Sequence, residues 1–440
     1  MNSNEYRIII ENGIVLTLDD ADTVYFPGIV VIENDRITHV IQGSSFEGAR
    51  RDSDVFIDAS RKLVMPGLVD LHYHTAIAKG WNDHMPLWEY LDACWYPAIR
   101  ALDDDASYWS ALASYSESIK CGTTTVNDMY RKLDGVAKAA KEIGIRAVLC
   151  NDVALAEHNL DSLQDNIDTF HRHHNTAEGR IEVRLGIEWL PLSSPEQLRE
   201  TRQLANELGI GIHIHLNESL TEVEDSVKRF GKRPTEVAYE AGLLGPDCIA
   251  AHCVHLDDHE ISLMARTGTN ISHNPVSNAK LGNGIARLPE MLAAGLNIGL
   301  GHDAAECNNS RDMFEVMKFA SLIHRASRKD ASLGQAPDIV RMATKNGSKA
   351  LRHSTGQLIP GYKADIILIN LNDVVFTPLK PDSVAQLLSH LVFAANGSCV
   401  NTTIINGQIV MRDRKLLTVD ENLVVTEANK AFLRILKQME

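Results

Sequence analysis

The stretch Met65-Pro-Gly-Leu-Val-Asp-Leu-His72-Tyr-His74 decides how the rest of the chain reads. Positions 67–74 form a short apolar run that closes on two histidines two positions apart. Residues i and i+2 of a strand point to the same face, so both imidazoles leave the strand together at its C-terminal end. Seven more runs of this kind follow, at 123–128, 146–152, 181–188, 211–216, 248–252, 269–273 and 296–303. Helical stretches such as 106–120, 195–208 and 311–328 lie between them. Strand and helix in alternation predict a parallel sheet. Eight such units in the middle of the chain predict an α/β fold, a TIM-like (β/α)₈ barrel that carries its chemistry at the C-terminal strand ends.

The two ends of the chain read differently. Tyr6-Arg-Ile-Ile-Ile and Ile14-Val-Leu-Thr-Leu flank Asn12-Gly13, which predicts a hairpin. Gly28-Ile-Val-Val-Ile and Ile37-Thr-His-Val-Ile repeat the scheme, and short strands with an Asn406-Gly407 turn resume it near the C-terminus. The expected organisation is a small β-sandwich built from both termini, 1–62 and 359–440 with a terminal helix, around a barrel at 63–358.

Composition narrows the function classes. The 440 residues are 44% hydrophobic and 23% charged, with a formal charge of -15; this is ordinary globular composition. An acidic total disfavours nucleic acid and anionic membrane as partners, since both need a basic face. Seven scattered cysteines, an odd number without a CxxC, fit a reducing cytoplasm better than a disulfide framework. No apolar run approaches a membrane span, and the first residues do not read as a signal peptide. Eighteen histidines stand out.

Several of these lie at strand ends. The fifth run ends His213-Ile-His215-Leu-Asn-Glu218, the sixth Ala251-His252-Cys-Val-His255, the eighth Gly301-His302-Asp303. Four strand ends delivering imidazole or carboxylate to one rim predict a divalent transition-metal site with an open position. His213 lies deeper than His215, His255 falls past its strand, and His302 points away from its neighbour Asp303, so these three are expected outside the ligand set. His84, His158, His171, His173 and His174 read as solvated. There is no GxSxG elbow or Walker loop, and the HxE…PCxxC pattern of small nucleobase deaminases is absent.

In their order and spacing these motifs resemble the amidohydrolase superfamily over almost the whole chain. Gly122-Thr-Thr-Thr-Val-Asn-Asp-Met-Tyr130, Ser272-His-Asn-Pro-Val-Ser-Asn278, Leu281-Gly-Asn-Gly284, Asn308-Asn-Ser310 and Gly361-Tyr-Lys-Ala-Asp-Ile-Ile-Leu368 extend the match. The chain is most similar to the mononuclear branch of S-adenosylhomocysteine/methylthioadenosine, cytosine and guanine deaminases and triazine hydrolases. The fourth run ends in Glu188-Trp189 with no bridging lysine, in keeping with one ion. The resemblance implies His72, His74, His215 and Asp303 as ligands, with zinc the leading ion over iron or manganese. It implies Glu218 as the proton shuttle, His252 as the group orienting the attacking water, and Asp303 as the acceptor of that water's proton. It also implies a homodimer or homotetramer.

Two positions depart from the adenosine-type members. Ile99 stands where they carry a ribose-binding glutamate, and Ile187-Glu188-Trp189-Leu-Pro191 replaces a histidine-bearing segment. Both changes argue against a ribosyl, carboxylate-bearing substrate. Glu188 suits N–H donors of an amino-substituted ring. Trp81, Trp88 and Trp189 are candidate walls for a flat ring, and His273 and Asn278 are candidate substrate contacts. The expected reaction is hydrolytic deamination of a small-molecule N-heterocycle: a triazine, pyrimidine, pterin or purine base. Chloride or alkylamine release from a triazine, amide hydrolysis, and a non-enzymatic binding protein on the same fold are the alternatives.

Overall fold

The computed structural model describes residues 6–81 and 84–439. The N-terminal strands are β1 (Arg7–Leu16), β2 (Val24–Glu33), β3 (Arg36–Gln42), β4 (Val55–Asp58) and β5 (Lys62–Pro66). The middle of the chain supplies β6 (Leu68–His74), β7 (Thr123–Tyr130), β8 (Arg146–Asn151), β9 (Ile181–Val183), β10 (Leu185–Ile187), β11 (Ile212–Leu216), β12 (Cys248–His252), β13 (Asn270–His273), β14 (Ile298–Leu300) and β15 (Asp303–Ala304). The C-terminal part adds β16 (Ile366–Asn370), β17 (Val400–Ile405), β18 (Gln408–Arg412) and β19 (Lys415–Leu416), and the chain closes on the helix Glu421–Met439.

The protein is α/β. Its ten middle strands form two parallel five-stranded sheets, ordered β15-β6-β7-β8-β9 and β10-β11-β12-β13-β14. The chain steps straight from one sheet into the other twice, across Arg184 between β9 and β10 and across Gly301-His302 between β14 and β15. Each of the eight runs read from the sequence is therefore extended, the fourth and eighth each split between the two sheets. Nearly every strand residue in the middle is buried, as parallel strands covered by helices require. The helices Asp104–Lys120, Pro195–Leu208 and Met313–Arg328 lie where expected. Gly301 is needed at its crossing: a Cβ there would stand 2.5 Å from Asn274 Oδ1 and 2.9 Å from His72 Cβ.

Strands from both termini share one nine-stranded sheet, in which β5 pairs antiparallel with β16. The hairpins at 33–36 and 405–408 form as read. The first expected hairpin does not. Asn12 takes a left-handed φ of 65°, but β1 runs on through it and pairs with β2 along its length, with register shifts on both sides of Gly13. Asn-Gly serves here as a bulge, because Gly13 must pass close to Ala59 and Val64. The terminal sheet is tied to the middle by a buried pair. Arg146 at the start of β8 donates from Nε and Nη2 to the two carboxylate oxygens of Asp365, at 2.8 and 3.0 Å. None of the seven cysteines is in a disulfide.

Candidate metal centre and substrate pocket

The strand ends of β6, β11 and β15 meet at one point. His74 Nε2 lies 3.3 Å from His72 Nε2, 3.1 Å from His215 Nε2 and 3.4 Å from Asp303 Oδ1; His72 Nε2 is also 3.4 Å from Asp303 Oδ1. His74 donates from Nδ1 to the Met129 carbonyl at 2.6 Å, so its Nε2 presents a lone pair. Burial lowers the pKa of all three imidazoles, that of His74 to about 3, which leaves them in the neutral, ligating form. Burial pushes Asp303 the other way, but the imidazoles around it, His72 first, hold its carboxyl well below the usual range. Buried lone pairs aimed at each other are unfavourable unless a cation sits among them. Ligand bonds of about 2.0–2.1 Å in a tetrahedron put the donors about 3.3 Å apart, the spacing seen here. The four residues thus fit a divalent metal ion.

The residues behind the donors fix them. His213 Nε2 stands 2.9 Å from His72 Nδ1, and Asn127 Nδ2 is 3.0 Å from His213 Nδ1. Ser277 donates to Asp303 Oδ2 at 2.5 Å. The buried Arg311 donates to the carbonyls of Asp303 and His74. His302 turns away and donates from Nδ1 to Asp70 at 2.7 Å, while His255 engages the Asn283 carbonyl. Asp303 and His252 both adopt positive φ, 70° and 72°. Such conformations in residues other than glycine persist where the surroundings over-determine them, often at functional sites.

Glu218 sits just ahead of the Ser219 cap of the helix Leu220–Phe230. Its Oε1 accepts from Asn283 Nδ2 at 2.9 Å and lies 3.7 Å from His252 Nδ1. Burial first, then the charge of Asp303, raises its pKa well above the ordinary value. Glu222 holds the backbone of this turn, accepting from the amides of Asn217 and Glu218 at 3.0 and 2.7 Å. His252 donates from Nδ1 to Asn278 Oδ1 at 2.8 Å, so its Nε2 is free to accept and faces Asp303 Oδ2 at 3.9 Å.

A pocket of about 430 Å³ opens over these groups, and Glu188, Trp189, Tyr90, Trp95 and Tyr96 form much of its wall. Trp88 packs against Trp189 with ring centroids 4.1 Å apart and the planes tilted by 41°. The remaining substrate candidates lie elsewhere. Trp81 is 45% exposed and meets Phe432 of the terminal helix edge-on. His273 is buried against His324, Nε2 to Nε2 3.1 Å. Asn278 is not among the lining residues and instead holds His252. Sequence reasoning missed the aromatic wall of residues 90–96 and the supports Asn283, Ser277 and Arg311. Arg311 follows the quoted Asn308-Asn-Ser310 directly, and Asn283 lies inside Leu281-Gly-Asn-Gly284, so the motifs pointed to the right places.

Three imidazoles and a carboxylate on the ends of parallel strands, under a pocket lined by an acid whose pKa burial raises, define a metal-dependent hydrolase. The chain belongs to the amidohydrolase family, whose profile matches residues 63–410. It is 38% identical to a 5'-deoxyadenosine deaminase of Methanosarcina barkeri over 96% of this chain and 97% of that one. It is 37% identical to a 5-methylthioadenosine/S-adenosylhomocysteine deaminase of Acetivibrio thermocellus, covering 98% of this chain and 100% of the relative. Among solved structures, an adenosine deaminase from Xanthomonas campestris with bound zinc superimposes with a TM-score of 0.91 at 26% identity, covering 98% of both chains. An atrazine chlorohydrolase from Arthrobacter aurescens complexed with zinc shares the fold, with a TM-score of 0.89 at 21% identity and coverage of 97% and 100%.

Proposed function

We propose that the protein hydrolytically deaminates an amino-substituted N-heterocycle, with His72, His74, His215 and Asp303 holding one zinc ion. The observation that carries this reading is a buried carboxyl whose pKa is raised well above the ordinary value, Glu218, beside an imidazole and a four-donor metal site in one pocket. A bound divalent ion supplies activated water at neutral pH. The chain's own groups do the rest. Asp303 Oδ2 accepts the proton that water loses. His252, fixed by Asn278, offers Nε2 as the acceptor that orients the attacking oxygen. Glu218 gives its proton to the ring nitrogen beside the reacting carbon; the proton that Asp303 took from water goes to the amino group, which leaves as ammonia, and the remaining hydroxyl proton returns to Glu218, general acid–base work worth about 10²–10⁴-fold. Trp189 and Tyr96 wall the ring and keep bulk water out.

The ring classes in view are triazines, pyrimidines, pterins and purine bases. The relatives' names favour the adenine member of that set, with or without a sugar, as a second reading. The same reading includes eight strands closed as a barrel through Arg184 and Gly301-His302, and a terminal sheet folded as a sandwich, with boundaries at 62 and 358. It also includes a cytoplasmic homodimer or homotetramer; six of the seven cysteines are buried, and no described helix is long and apolar enough to cross a membrane. The test is ammonia release from a panel of aminated rings and adenine nucleosides by zinc-loaded wild type and Glu218→Gln. Ammonia from one class, lost in the variant, is expected. Silence across the panel from protein that holds one metal ion would refute deamination and turn the assay to chloride and alkylamine.

A further inference from the structure

The strand paired with the one that leads to Glu218 is followed by an acid that this chemistry does not use. Glu188 follows β10, is 5% exposed and lines the pocket, and its Oε2 has no hydrogen-bond partner. Its backbone amide donates to the Val153 carbonyl at 3.0 Å, which sets it beside the end of β8. There Asp152, also buried, has neither carboxylate oxygen hydrogen-bonded, and Arg131 Nε stands 3.6 Å away while donating to Asp161 at 2.9 Å. Burial and neighbouring acids raise Asp152 well above its ordinary value; burial, then Glu218 and Asp303, push Glu188 up to about 8. Leaving a buried carboxyl oxygen unpaired is unfavourable unless a ligand supplies the partner. The lining includes Glu188, Glu218 and Asp303 and no lysine or arginine among the described residues. Trp189 follows Glu188 directly in sequence and lines the same pocket.

We infer that Glu188 reads a second amino group on the substrate. The site takes flat heterocycles that carry, besides the amino group that leaves, another amino group next to a ring nitrogen, and no acidic substituent. A protonated carboxyl accepts from the amino N–H at one oxygen and donates to the ring nitrogen from the other. An anionic substituent reaching Glu188 would find no lysine or arginine among the lining residues to pair with. This inference rests on the deaminase reading and narrows it.

The experiment is a tryptophan-fluorescence titration of zinc-loaded Glu218→Gln protein, in which turnover is slowed about 10²–10⁴-fold. The probes are matched pairs: diaminopurine against adenine, and diaminopyrimidine against monoaminopyrimidine. The second amino group is expected to tighten binding about 10- to 100-fold. Adding Glu188→Met removes that preference, and adding Glu188→Gln, which keeps one donor and one acceptor, retains it. Equal affinities within each pair, or a preference that survives Glu188→Met, would overturn the inference. Should Glu188→Met not fold, the comparison within each pair in the Glu188 background decides. Ammonia release from monoamino rings at the same kcat/KM as from diamino rings sinks the Glu188 assignment and spares the deaminase reading. No binding by any probe and no ammonia from the wild type sinks both.

Discussion

Glu188→Gln is expected to make the protein more stable, and more so at neutral than at acid pH. The carboxyl moves from an ordinary 4.5 to about 8 on burial. Between those values the folded chain binds more protons than the unfolded one, so stability falls as pH rises, by about 1.4 kcal/mol per pH unit. The loss is complete once pH exceeds the folded value; below the ordinary value it vanishes. At pH 7 about 2.5 units of that window have been crossed, a penalty of about 3 kcal/mol; at pH 5 it is about 1 kcal/mol. The glutamine has the same shape and no charge to desolvate. With an unfolding entropy of about 0.9 kcal/mol/K for a chain of this length, the variant should melt about 3 °C above wild type at pH 7 and about 1 °C above it at pH 5. Scanning calorimetry of both proteins, metal-stripped and at one scan rate, measures this. Stripping matters because a bound cation offsets the Asp303 charge that contributes to the shift. A gap that is the same at both pH values, or a variant that melts lower, would show that Glu188 is not a buried, strained acid.

Other expectations follow from the same geometry. Glu218→Gln should cut ammonia release about 10²–10⁴-fold with metal content unchanged by elemental analysis. The high-pH fall in wild-type rate, expected as Glu218 loses a proton held well above the ordinary range, should be absent from the variant's residual activity. Asn278→Ala frees His252 Nδ1 and should lower kcat about tenfold while KM and metal content hold. Arg146→Met leaves Asp365 buried without its partner. Denaturant titration should show a loss of about 3–5 kcal/mol.

How much of this was legible depended on whether the signal was local. The eight strands could be read because a strand covered on both faces is a run of apolar residues ended by the groups it presents, as in Leu68–His74. The i, i+2 spacing of His72 and His74 put both imidazoles on one face before any fold was known. Distance in sequence hid the rest. His213 looked idle because its partner, His72, is 141 residues away. Asn278 and His273 stood in a motif that was correctly found, but whether a side chain faces the pocket or the layer behind it is decided by a turn of backbone that spacing does not encode. Trp81 was a poor choice for the same reason: its partner Phe432 lies on the terminal helix. Asn12-Gly13 has the φ of a turn, yet which strand pairs with which is a tertiary matter.

Overall identity and the pocket wall carry different information about substrate. Identity of 37–38% across nearly the full length speaks for the shared attack, because the groups that hold the metal and move the protons sit on strand ends that cannot shift without unpacking the sheets. Specificity belongs to the residues around the pocket mouth. Ile99 is 2% exposed and absent from the pocket lining, while Tyr96 of the same short helix faces the pocket; an aliphatic side chain offers a sugar hydroxyl no hydrogen bond. Glu188 adds an acid to a pocket whose lining has no lysine or arginine to pair with a substrate carboxylate. A residue that destabilises the fold and does not take part in the attack persists only where its partner arrives from outside, and the partner a buried acid accepts most readily is an N–H-rich ring.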